Sequence, residues 1–131
     1  MKTQENERGA SAVEAAFILP VLLLLVMGIM EFGFLFNQQI SASNAAREGA
    51  RYAAVHYPDD DFSDDEVRVA ARNAAPTLAD TTPIDISYSG GTCGPGTNVT
   101  VTVLPAQGWL IGFIPLTAPQ ITGVGVMRCG G

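Results

Sequence analysis

The sequence predicts an α+β chain: a long N-terminal transmembrane helix continuing into a small domain with a second short helix and an antiparallel three- to four-stranded sheet. Three observations predict it. Residues 15–30 are uncharged and almost wholly apolar (AAFILPVLLLLVMGIM), and residues 32–36 continue the run after a single acid, Glu31. Residues 42–53 then repeat alanine and glycine at helical spacing. Two later segments, 84–88 and 99–103, alternate apolar and polar residues at strand spacing.

The first segment is long enough to span a bilayer. At about 1.5 Å per residue, residues 15–30 reach roughly 24 Å and the run to Phe36 roughly 33 Å. Pro20 lies inside this helix, removing a backbone donor and favouring a bend, which lipid-embedded helices tolerate. Lys2 and Arg8 precede the run, while Arg47 and Arg51 follow it at a distance, so the charge rule favours a cytoplasmic N-terminus and an extracytoplasmic C-terminal part. A cleaved secretory signal is the competing reading, with Ser41-Ala42-Ser43 as its one small-residue site.

Glu14 stands at the mouth of the apolar run, where a carboxylate costs free energy unless it is compensated. Two arrangements would do so. The side chain can reach the headgroup region, or the chain can be cut after Gly9, so that the new ammonium of Ala10 in one subunit pairs with Glu14 of a neighbour in a membrane or filament core.

Beyond Phe36 the helix is expected to continue to about Tyr57, where Pro58 ends it. Projected at 100° per residue, Ala42, Ala45, Ala46, Gly49 and Ala53 form one face for close packing on the domain's own sheet, or also on neighbouring helices. Asn44, Arg47 and Arg51 fall on the other face, and both arginines are candidate partner contacts. Residues 59–66 (DDDFSDDE) resemble a calcium loop only loosely, because Asp64 stands where that template needs glycine. A capping box of Ser63 and Glu66, opening a helix over residues 64–75, is the plainer account.

Strands are expected at 84–88 and 99–103, joined by the turn GGTCGPG at 90–96, with a third over 120–128, where Gly123 and Gly125 suggest a bulge. The apolar segment 105–119 (PAQGWLIGFIPLTAP) is too short and broken to span lipid. It is expected to fold over sheet and helix as core, with a membrane-facing patch or a partner surface around Trp109 and Phe113 as the alternatives. The two cysteines, Cys93 and Cys129, have no metal-ligand spacing and read as a disulfide, which pairing of the third strand beside the second would permit without requiring; two unpaired thiols are the alternative.

Composition narrows the function classes. The chain carries a net charge of −6, and the part after Phe36 holds nine acids against five arginines, a net of −4. No basic patch exists to neutralise phosphates, which argues against nucleic acid. His56 is the only histidine and has no nucleophile motif, phosphate loop or metal-ligand set around it, so no enzyme, cofactor or metal is expected.

The stretch over residues 8–55, carrying RGASAVE, Pro20 four residues after Ala16, EFG at 31–33 and NAAREGARYA at 44–53, resembles the TadE-like family. These are minor pilins or pseudopilins of the bacterial tight-adherence pilus, a branch of the type IV pilus superfamily. The resemblance implies a pilin-like fold and a leader, residues 1–9, removed by a prepilin peptidase between Gly9 and Ala10. It further implies a transmembrane helix over 10–36 and an extracytoplasmic domain over 37–131. Glu14, Pro20 and Glu31 are then the expected assembly positions. Sister pilins, membrane lipid and an inner-membrane assembly platform are the expected partners, in a homo- or hetero-oligomer extracted into a surface pilus. The alternative is a permanently anchored binding or adhesin-like module using residues 105–119.

Overall fold

The structure, a computed structural model, describes residues 3–112 and 114–130, with side chains from Gly9 onward. Five elements follow in order: α1 (Thr3–His56), α2 (Asp64–Asn73), β1 (Ile84–Tyr88), β2 (Asn98–Val103) and β3 (Gly123–Arg128). The chain divides into two compact units, Met1–Phe34 and Leu35–Gly131.

The second unit is built on the small-residue face of α1. Ala42, Ala46, Ala50 and Ala53 are fully buried, and Asn44, Arg47 and Arg51 are exposed, as the helical projection requires. The sheet has the order β1-β2-β3 with both pairings antiparallel. Val99, Val101 and Val103 of β2 turn inward, while Thr100 and Thr102 point outward.

β3 differs from the expected strand in two ways. It begins at Gly123 rather than near Gln120, and it pairs residue for residue with β2 from Val103↔Gly123 to Asn98↔Arg128, with no bulge. The two glycines serve packing instead. A Cβ on Gly123 would collide with the carbonyl of Ala42 and lie 2.7 Å from the Ser43 nitrogen; one on Gly125 would collide with the Ala46 carbonyl and lie 2.7 Å from the Arg47 nitrogen. The strand therefore rests directly on the helix backbone. Gly49 makes the matching approach toward α2 and β2, where a Cβ would stand 3.1 Å from Ala71 Cβ and 3.3 Å from Val101 Cγ1.

α2 packs on this layer through Val67 and Ala71. It is shorter than the expected 64–75 helix, and the predicted capping box does not form. Ser63 is extended (φ −144°, ψ 154°) and its side chain makes no capping hydrogen bond. Its carbonyl instead accepts the Glu66 and Val67 amides at 3.2 and 3.4 Å, and Asp64, Asp65 and Glu66 supply negative charge to the first turn. Tyr88 at the end of β1 donates its hydroxyl to Asp64 at 2.6 Å, tying the start of α2 to the sheet.

Burial, then the Asp64 carboxylate, pushes the Tyr88 phenol well above its ordinary value. A phenol whose folded pKa is raised contributes stability in full below its unfolded value, about 10, and loses it as pH rises above that. Tyr88→Phe is expected to cost about 1 kcal/mol at neutral pH and to flatten the alkaline decline, both read from urea midpoints of the full chain in detergent.

Cys93, in the turn after β1, and Cys129, just past β3, form a disulfide with Cα atoms 5.7 Å apart. The antiparallel register makes this possible, since it returns the end of β3 to the β1–β2 turn. The Cys129 amide bonds Thr97 O at 2.8 Å there.

Most of the described residues of 105–119 do not become core, contrary to the expectation from composition, although Pro105 is buried. Leu110, Ile111 and Leu116 are 55%, 49% and 71% exposed. Trp109 is half-buried against the core and donates its Nε1 proton to Leu116 O at 2.5 Å, closing the loop on itself. The physical reason is space. With helix and strand in backbone contact and alanine and valine filling the rest, the layer has no volume left for three large side chains.

Candidate functional site

The first unit presents an apolar helical surface. From Val13 to Phe32, thirteen large apolar side chains are exposed, including Phe17 at 75% and both Val21 and Ile29 at 64%. They occur at consecutive positions such as 21–26, so they surround the helix axis rather than forming a stripe. At roughly 1.5 kcal/mol or more per side chain, leaving this surface in water would cost on the order of 20 kcal/mol, more than a domain's whole stability. One N-terminal helix is thus long and apolar enough to cross a membrane.

Its polar positions are few. Gly9 and Ala10 are helical and exposed, and a Cβ on Gly9 would meet nothing within 4 Å. Glu14 is exposed one turn beyond Ala10, and a spacing of four residues puts the two on one face. Pro20 lies within α1, which continues on both sides of it. Glu31 is the exception to the exposure, being fully buried. No buried side-chain nitrogen or oxygen among the described residues lacks a hydrogen-bond partner. Gly28 and Gly33 have open space where a Cβ would stand.

In the second unit the expected packing residues Ala42, Ala46, Gly49 and Ala53 are all buried by the chain's own α2 and sheet, so that face is occupied within the protein. Arg51 pairs with Glu48 at 2.5 Å on the surface; that hydrogen bond lowers the Glu48 pKa and raises that of Arg51. An exposed pair of this kind adds little stability. Arg47 is exposed, and Phe113 lies outside the described residues. His56 is engaged locally, its ring stacked on Tyr52 at 4.1 Å and its Nδ1 lying 3.1 Å from Tyr52 O. Burial and then Glu66 raise the Tyr52 phenol pKa.

The acids of 59–66 are used structurally where they are engaged. Asp64 accepts from Tyr88 and Asp65 pairs with Arg68 at 2.9 Å. Among the described residues no group of three or more His, Cys, Asp or Glu side chains is placed to hold a metal ion. Two shallow surface clefts, about 330 and 360 Å³, lie beside α2, one at Tyr52 and Val69 and the other at Tyr57 and Tyr88.

Sequence reasoning missed the contact role of Gly123 and Gly125. A usable signal was present: two glycines at strand spacing have room for a helix with alanines four apart, Ala42 and Ala46.

Residues 9–51 match the family described as TadE-like protein. The matched stretch takes in Glu14, the exposed apolar helix and the small-residue face as far as Arg51. No curated protein and no solved structure matches the chain.

Proposed function

We propose that this chain, TadE-like over residues 9–51, is a minor pilin or pseudopilin of a tight-adherence pilus or related secretion system, and that it assembles through its N-terminal helix. The observation that carries this reading is the apolar surface from Val13 to Phe32, open around the helix within the matched stretch. Such a surface is stable in lipid and equally stable against other apolar helices. Transfer from membrane to filament therefore exchanges one apolar environment for another at small cost, and polar groups decide the direction.

Glu14 supplies that polar term. In this reading a prepilin peptidase removes residues 1–9, freeing the ammonium of Ala10. The Glu14 carboxylate of one subunit then pairs with the ammonium of its neighbour, a contact strengthened by the low dielectric around it. The N-terminus begins on the cytoplasmic side, and the second unit faces an oxidising compartment where the Cys93–Cys129 bridge forms. Sister pilins and an inner-membrane platform are the partners. A permanently anchored binding module is the second reading, favoured by the exposed Leu110, Ile111 and Leu116.

Two measurements separate them. The intact mass of protein from its native membrane should lack residues 1–9; a mass that retains them supports the permanent anchor. Glu14→Leu should leave membrane insertion and the disulfide intact yet reduce recovery in sheared pili about a hundredfold or more, because breaking a buried ion pair costs roughly 3–5 kcal/mol. Normal recovery of that variant would eliminate the pilin mechanism.

A further inference from the structure

The end of the second unit where the chain enters at Leu35 carries an apolar cap. β3 runs alongside α1 in the same direction: Gly123 abuts Ala42, Gly125 abuts Ala46, and the Gly130 amide reaches Ala54 O at 3.4 Å. The pairing Val103↔Gly123 therefore places the β2–β3 connection, residues 104–122, toward the Leu35 end of this unit. Gln39 anchors its exit there, donating to Thr122 O at 3.1 Å.

On that connection Leu110, Ile111 and Leu116 are exposed, and on the helix Phe36 and Ile40, one turn apart, are 66% and 61% exposed. Gly112 adopts a positive φ of 69° within the connection. Residues 105–127 contain no charged side chain, and the Trp109 N–H is already bonded to Leu116 O, so the indole needs no water. The acids of 59–66 follow the other end of α1, beyond His56.

We infer that residues 108–112 and 114–116 belong to a membrane-inserting loop, with Trp109, Leu110, Ile111 and Leu116 seated at the boundary between headgroups and acyl chains. Tryptophan is suited to that boundary, and tethering to a membrane-spanning segment makes insertion intramolecular, so a few side chains suffice. A second copy is the weaker occupant. A stable protein interface needs about 800 Å² per partner, more than this handful of side chains offers. The inference rests on the membrane-spanning reading of residues 15–36.

Trp109 is the only tryptophan in the sequence, so its emission reports the loop directly. The full chain is reconstituted in phosphatidylethanolamine vesicles with a minor phosphatidylglycerol fraction. Lipids brominated near the headgroup should remove more than half of the emission, while aqueous acrylamide quenches weakly. Leu110→Asp with Ile111→Asp, both exposed positions, should restore acrylamide access while leaving the disulfide and circular dichroism unchanged. Full acrylamide quenching of the native loop without bromolipid quenching would overturn the inference. Shielding from both quenchers that disappears as protein is diluted into lipid would assign the patch to a second copy and overturn it equally. A Trp109→Phe, Leu24→Trp chain isolates the premise. Quenching of the new tryptophan by bromines near the bilayer centre upholds the span whatever the loop does, and its absence sinks the span itself.

Discussion

Gly125→Ala is expected to destabilise the second unit by about 3 kcal/mol or more, at or beyond the upper end of ordinary overpacking. A methyl group there would overlap the Ala46 carbonyl and stand 2.7 Å from the Arg47 nitrogen. Both obstacles are backbone atoms inside a helix, so no rotamer change relieves the clash. Either β3 must lift from α1, opening the valine layer of β2, or the helix must deform and lose hydrogen bonds. Gly123→Ala meets the same obstacle at Ala42 and should behave alike. Gly94→Ala is the matched control. It has no neighbour within 4 Å of the added methyl and no positive φ, so it should be neutral or stabilising by up to about 1 kcal/mol. Urea unfolding of the full chain in detergent measures all three. A Gly125→Ala midpoint equal to that of Gly94→Ala would mean that β3 does not rest on the helix backbone.

Reduction of the Cys93–Cys129 bridge, or its replacement by Cys93→Ala with Cys129→Ala, is expected to remove about 4 kcal/mol. The cysteines are 36 residues apart, and closing such a loop restricts the unfolded chain by that amount in the chain-entropy treatment. For a domain of this size that is much of its stability, and the urea midpoint should fall by roughly 2–4 M. The effect should be concentrated at one end of the sheet. Cys129 is 1% exposed and its amide pairs with Thr97, so loosening would reach the β1–β2 turn first and show as faster amide exchange there. A shift below about 1 kcal/mol would imply that the unfolded chain already holds these ends together.

Much of the fold was legible because its signals are local. The alternation of Ile84 to Tyr88 and of Val99 to Val103 has the two-residue period of strands buried on one face, and both formed strands. The alanines of residues 42–53 have the helical period, and they are buried. The bridge could be anticipated because the two cysteines lack metal-ligand spacing, and the third strand lying beside the second brought them within reach.

What failed to read correctly was decided by neighbours. Ser63 and Glu66 carry a capping pattern, yet the Ser63 side chain makes no cap, while Asp64 is drawn to Tyr88 from a strand more than twenty residues away. The glycines of β3 looked like a bulge because a missing side chain in a strand has two explanations, and only a helix lying against it chooses between them. The composition of 105–119 reads as core, but composition does not measure the volume available to receive it.

The sequence by itself determined the apolar helix, its acid at Glu14, the helical and strand periods and the cysteine pair, because each follows from residue type and spacing along one chain. The small-residue face of α1 was expected on the protein's own sheet; only the tertiary structure decided that the two backbones touch there and that Leu110, Ile111 and Leu116 stay outside. The cause is a single packing choice. Two glycines let strand and helix backbones touch, and that contact leaves no room in the core for the largest apolar side chains of the loop.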